Sequence, residues 1–188
     1  MSDSPARRVV VPALLVALLA ASAWIAVPLG SVPLTLQVFV VVLAALLLTP
    51  GQAAATMAVY LLLGAIGAPV FSGGRGGLGV LVGPTGGYLI GFLLAAVAGS
   101  LLRARLRRSR VTEVRADTAA GFVTLGIIYL VGWLQLALVT GTSLEEAFVA
   151  GVVPFVVLDV AKTVVAIGVA SALRRSGVVH EELRASAS

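Results

Sequence analysis

The chain has 188 residues, 60% of them apolar and only 11% charged, with a mean hydropathy of +1.11. Soluble domains carry roughly 25% charged residues, so this composition predicts a polytopic membrane protein with no separate soluble domain. The net charge of +5 does not point to nucleic acid, because six arginines fall between Arg103 and Arg115 and most others lie at the termini: a topology pattern, with no groove-reading fold left to carry it.

In chain order, six spans are predicted at about 9–27, 34–49, 52–67, 86–103, 118–140 and 144–174, since about 20 helical residues cross a ~30 Å hydrocarbon core. The run after Arg7 and Arg8 shows no small-residue cleavage site and is taken as a retained span. It ends near Trp24, an interfacial anchor, and carries an alanine ridge, Ala13, Ala17 and Ala21. Small residues at that spacing let another helix approach, whether internal or from a partner. "PLGSVPLT" follows as a Pro/Gly break, and the second span holds one amide, Gln37, near its outer end. Gln37 either reaches a pocket or bonds a neighbouring helix. Thr49-Pro50-Gly51 marks a turn before the third span.

Residues 68–87 form a long glycine-rich connection. Two readings fit it: a lid over a pocket, or a flexible external connector. The apolar "LGVLVGPT" favours the lid. Within it Arg75 is either a carboxylate-attracting cation or a solvated arginine. Tyr88 is an interfacial aromatic or a pocket wall, and Gly87-xxx-Gly91 suits helix packing. A basic cytoplasmic loop is expected at 103–117. The sixth span opens on "SLEE", a capping box with Ser143 as N-cap and Glu146 as its partner. Pro154 should kink or interrupt it.

The sharpest feature is Asp159 with Lys162 in "PFVVLDVAKTVVAIGVA". Each charge costs about 2.5–3.5 kcal/mol at the bilayer centre on insertion scales. Residues three apart share a helix face, so the two can pair and together address a polar ligand. The alternative is a structural ion pair clipping helices together.

Lys and Arg counts set the orientation. With both termini inside, Arg7, Arg8, Arg103, Arg105, Arg107, Arg108, Arg110, Arg115, Arg174, Arg175 and Arg184 are cytoplasmic and only Arg75 is external, as the positive-inside rule requires. Asp159 lies fifteen residues before Arg174, roughly 22 Å of helix, which puts the pair in the outer part of the membrane.

Several chemistries are excluded. Zero cysteines remove disulfides and thiolate metal sites, and His180 sits alone in the polar tail. The only lysine, Lys162, lacks a P-loop frame, and neither HExxH nor GxSxG occurs. Asp159 is the only acid expected within a span, too little for a proton relay.

"VPLTLQVF" (32–39), "YLLLGAIGAPVFSGGRGGLGVLVGPTGGYLIGF" (60–92), the "DVAK" of Asp159 to Lys162 and the alanine ridge together resemble the biotin-specific BioY family of energy-coupling-factor S components, over roughly residues 9–175. The resemblance implies an all-α bundle of six transmembrane helices, N-in and C-in, in a prokaryotic plasma membrane. It implies no catalysis, no cofactor and no metal. It implies biotin as ligand, bound by Asp159 and Lys162 under the 68–87 lid, with Gln37, Tyr88 and Arg75 as further candidates. It also implies docking of Ala13, Ala17 and Ala21 on a transmembrane coupling subunit that works with two ATPase subunits. The alternatives are an S component for another vitamin, or a self-contained secondary transporter working through Asp159.

Overall fold

The computed structural model describes residues 5–29 and 32–177. His180 and Arg184 lie outside the described residues, as do the side chains of Arg7 and Arg8. Among the described residues, eight α-helices and one hairpin follow in order: α1 (Pro5–Trp24), β1 (Ala26–Leu29), β2 (Val32–Thr35), α2 (Gln37–Leu47), α3 (Pro50–Ala65), α4 (Leu78–Val82), α5 (Gly86–Arg108), α6 (Glu113–Thr140), α7 (Leu144–Gly151) and α8 (Val156–Arg175).

α5, α6 and α8 are long and apolar enough to cross a bilayer, while Val9–Trp24 and α2 are shorter apolar helices. α2 has only 11 residues, about 16 Å of helix at 1.5 Å per residue. Its side chains are nevertheless almost all buried, because it packs against α1, α5, α6 and α8. A helix enclosed by others need not match the lipid thickness, and the remainder of its apolar run is spent on β2. The expected break after the first span is therefore an antiparallel hairpin, in which Pro28 faces Pro33 and Ala26 faces Thr35.

The antiparallel α5 and α6 share the most extensive interface. A Cβ on Gly87 would stand 2.5 Å from the Val131 oxygen, one on Gly91 3.3 Å from that of Ile128, and one on Gly99 2.1 Å from Thr124 Oγ1. Glycines four and then eight residues apart, on one helix face, thus form the seam that lets the two backbones close up. The N-termini of α3 and α7 are fixed by capping boxes. Thr49 pairs with Gln52 beside Pro50 at the first helical position, and Ser143 pairs with Glu146, as the "SLEE" pattern anticipates. The sixth apolar run breaks around Pro154 into α7 and α8, since proline has no N–H to donate.

The expected basic loop at 103–117 is mostly helix. α5 continues through Arg108 and α6 starts at Glu113, leaving residues 109–112 as the connection; Arg110 makes the turn at φ 60°. Arginine is a good helix former, and Arg103 is not a solvated loop cation. It is 4% exposed, and its Nε donates to Asp117 at 2.7 Å. Arg174 of α8 donates to Asp117 and Glu113 and to the Leu46 carbonyl at the end of α2, 3.2 Å away. Asp117, expected just outside the fifth span, is 1% exposed within α6, so Asp159 is not the only buried acid. This ion cluster joins α2, α5, α6 and α8 at the end of the bundle opposite the hairpin.

At the hairpin end, the connection from α3 to α5 is tied down. Phe71 is fully buried and its ring fills the place a side chain on Gly64 would need: a Cβ there would lie 2.0 Å from Phe71 Cζ. Replacing Gly64 with Ala should eject Phe71 and cost about 1–3 kcal/mol, the usual range for overpacking. Thermal unfolding of the detergent-purified variant, compared with wild type, tests this; an unchanged transition would mean the ring is not held there.

Candidate ligand-binding site

Asp159 sits in the first turn of α8, just past the break at Pro154. The positive end of the helix dipole favours a carboxylate there. The side chain is 3% exposed, and both its oxygens are engaged. Oδ1 accepts from Lys162 Nζ at 2.7 Å, and Oδ2 accepts from the Tyr129 hydroxyl at 2.7 Å. Lys162 also donates to the Thr35 carbonyl at 2.6 Å, so the ammonium links α8 to the end of β2. Two of its three N–H groups are used this way. A buried charge needs such partners, because desolvation costs several kcal/mol per ion.

Asp159 opens onto a cavity of about 600 Å³, mouth included, lined by the hairpin, the 68–87 segment and α2, α5, α6 and α8. Gln37, Arg75, Tyr88 and Asp159 all line it, so four of the five candidate binding residues converge from four separate parts of the chain. Lys162 is not on the wall but directly behind Asp159. Tyr88 serves as wall rather than interfacial anchor: it is buried, and its hydroxyl donates to the Gly151 carbonyl at 2.8 Å. Arg75 is exposed at the mouth, its Nε donating to the Ser72 carbonyl at 3.0 Å. Gln37 is buried; its Oε1 accepts from Thr35 Oγ1 at 3.1 Å, and its Nε2 donates to the Tyr60 hydroxyl.

Sequence reasoning passed over Tyr129, Tyr60 and Gln135. Gln135 Nε2 donates to the carbonyls of Leu81 and Gly83, at 2.8 and 3.0 Å, and so fixes the end of the segment below α4. A usable signal was there, since a polar side chain in a membrane span must find a partner within the protein. Phe71, Val38 and Phe92 supply apolar wall. The cavity can therefore hold a compact, mostly apolar molecule and offer a carboxylate at its deep end and a guanidinium at its mouth. The alanine ridge lies elsewhere: Ala13, Ala17 and Ala21 are exposed along α1, whose opposite face buries Leu15, Leu19 and Ala23.

A bundle of apolar helices holding a charged cavity under a hairpin and a looped cover defines a ligand-binding membrane protein. Comparison with known proteins narrows the class. Residues 1–178 match the BioY family, and the chain belongs to that family. It is 43% identical over 169 residues to the biotin transporter BioY of Thermotoga maritima, covering 90% of this chain and 96% of that protein. To the probable biotin transporter BioY of Pyrococcus horikoshii it is 41% identical over 169 residues, covering 90% and 97%. The fold is similar to that in the crystal structure of the S-component for biotin from an ECF-type ABC transporter. The TM-score is 0.85 at 23% identity, covering 93% of this chain and 95% of that one. The fold is thus that of an S component, and the chain is a multi-pass membrane protein.

Proposed function

We propose that this chain is the biotin-capturing subunit of an energy-coupling-factor transporter. It makes and breaks no bond, and passes biotin to a transmembrane coupling protein served by two ATPase subunits. The observation that carries this reading is the buried Asp159 carboxylate at the deep end of an otherwise largely apolar cavity, in a chain whose relatives are named biotin transporters. Biotin has two ureido N–H donors, a ureido carbonyl, an apolar thioether ring and a carboxylated tail. Asp159 accepts from a ureido N–H, Lys162 behind it binds the ligand through that carboxylate by holding it charged and in place, and Gln37 offers a second N–H from its amide. Tyr88 and Phe71 flank the bicycle, and Arg75 meets the tail carboxylate at the mouth.

In this reading the chain crosses a prokaryotic plasma membrane six times with both termini inside, and residues 68–87 act as the lid. The positive-inside rule supports the orientation. Arg103, Arg105, Arg107, Arg108, Arg110, Arg115, Arg174 and Arg175 belong to the ion-cluster end, and Arg75 to the cavity end. The exposed Ala13, Ala17 and Ala21 give the coupling protein a flat surface for close helix approach.

Titration calorimetry of the detergent-purified chain with biotin, thiamine and riboflavin tests the assignment. Saturable binding of biotin alone is expected. Binding of another vitamin instead would replace the ligand, and binding of none by folded protein would return Asp159 and Lys162 to a structural role.

A further inference from the structure

Three side chains outside the 68–87 segment hold its backbone by donating to its carbonyls. Trp24 Nε1 reaches Pro69 at 3.1 Å, the Tyr60 hydroxyl reaches Val70 at 2.9 Å, and Gln135 Nε2 reaches Leu81 and Gly83. They differ in what lies behind them. Trp24 is exposed at the end of α1, and neither it nor Gln135 lines the cavity. Tyr60 is fully buried, and its hydroxyl also accepts from Gln37, which is part of the cavity wall. A continuous hydrogen-bonded line therefore runs from the buried cavity wall to the part-buried segment: Gln37 amide, Tyr60 hydroxyl, Val70 carbonyl.

The next residue strengthens the link. Phe71 lines the cavity and meets the Tyr60 ring edge-on, with centroids 5.6 Å apart. Its backbone then exchanges hydrogen bonds with Arg75, 2.9 and 3.2 Å long, closing the tight turn that carries the mouth guanidinium. Gln37 has a second N–H on Nε2 for a ligand acceptor. A ligand bonded there would lock the amide, fix the acceptor side of the Tyr60 hydroxyl and keep its O–H donating to the Val70 carbonyl.

We infer that Tyr60 is a positioning residue that couples occupancy of the cavity to closure of the 68–87 segment; this rests on the reading of the cavity as the biotin site. Trp24 holds the same segment but carries no signal from the ligand.

Trypsin cleavage after Arg75, followed by mass spectrometry on the full chain with and without saturating biotin, tests it. Biotin slows this cut in wild type. In Tyr60→Phe the unliganded protein is cut faster and protection by biotin falls about fivefold, the weight of one buried hydrogen bond. In Gln37→Met, at a biotin concentration shown by calorimetry to saturate the variant, protection falls although the cavity is full. In Trp24→Phe both rates rise and their ratio holds. A protection ratio in Tyr60→Phe equal to wild type overturns the coupling, and Gln37→Met decides the matter by the same ratio should Tyr60→Phe not fold. Biotin binding to wild type without protection overturns the coupling alone, whereas no binding to wild type removes the ligand assignment and the coupling with it.

Discussion

Asp159→Asn should weaken biotin binding roughly 30- to several-thousand-fold, the equivalent of about 2–5 kcal/mol for losing one partner of a buried charged pair. The amide keeps the shape and can still accept from Tyr129, but it loses the negative charge that faces Lys162 at 2.7 Å. Two costs then add. A ureido N–H meets a weaker acceptor, or the NH₂ of the new side chain. Lys162 meanwhile keeps only the Thr35 carbonyl, bonded at 2.6 Å. The second cost falls on the protein even without ligand, so Asp159→Asn should also unfold more easily than wild type. Adding Lys162→Met removes the stranded ammonium and should recover stability without recovering affinity, because coupled sites are not additive. Calorimetry gives the first quantity and thermal unfolding the second. Wild-type affinity in Asp159→Asn would rule out the carboxylate as the ligand's anchor.

The charged pair was legible in the sequence because charge in a span is costly enough to demand a purpose. The same logic, applied to weaker polar groups, would have reached Tyr129, Tyr60 and Gln135. Their apolar bodies hide them from a hydropathy average, and only the need to satisfy each hydroxyl or amide gives them away. The hairpin was illegible for another reason. Pro28 and Pro33 read as a break, yet in a two-stranded ribbon each can sit where no ladder N–H is required, and the pairing Pro28 with Pro33 places them so. The rule that grouped Arg103 and Arg174 at one end of the bundle counts charges without asking which are buried, so it gave no hint that both are enclosed there. The spacing of Glu113 and Asp117, four apart on one helix face, was the available sign that acids at the start of α6 were gathering cations.

Those cations set up the second large effect. Asp117→Asn should lower the unfolding free energy by about 3–5 kcal/mol, the range for breaking a buried ion pair from one side, while leaving biotin affinity unchanged. Asp117 receives Arg103 on Oδ1 and Arg174 on Oδ2, so one neutralisation takes the buried counter-charge from two guanidinium groups whose side chains are 4% and 8% exposed. Glu113 touches the same arginines but is 38% exposed. Water can replace it, and Glu113→Gln should cost no more than about 1 kcal/mol, as for solvated pairs. The cluster joins the ends of α2, α5 and α8 to the start of α6, whereas the cavity lies at the opposite ends of these helices, so the folded fraction of Asp117→Asn should bind as wild type does. Denaturant titration in mixed micelles, paired with calorimetry on the folded protein, separates the two quantities. Equal costs for Asp117→Asn and Glu113→Gln would mean that water reaches both acids and that the apolar seams alone hold this end of the bundle together.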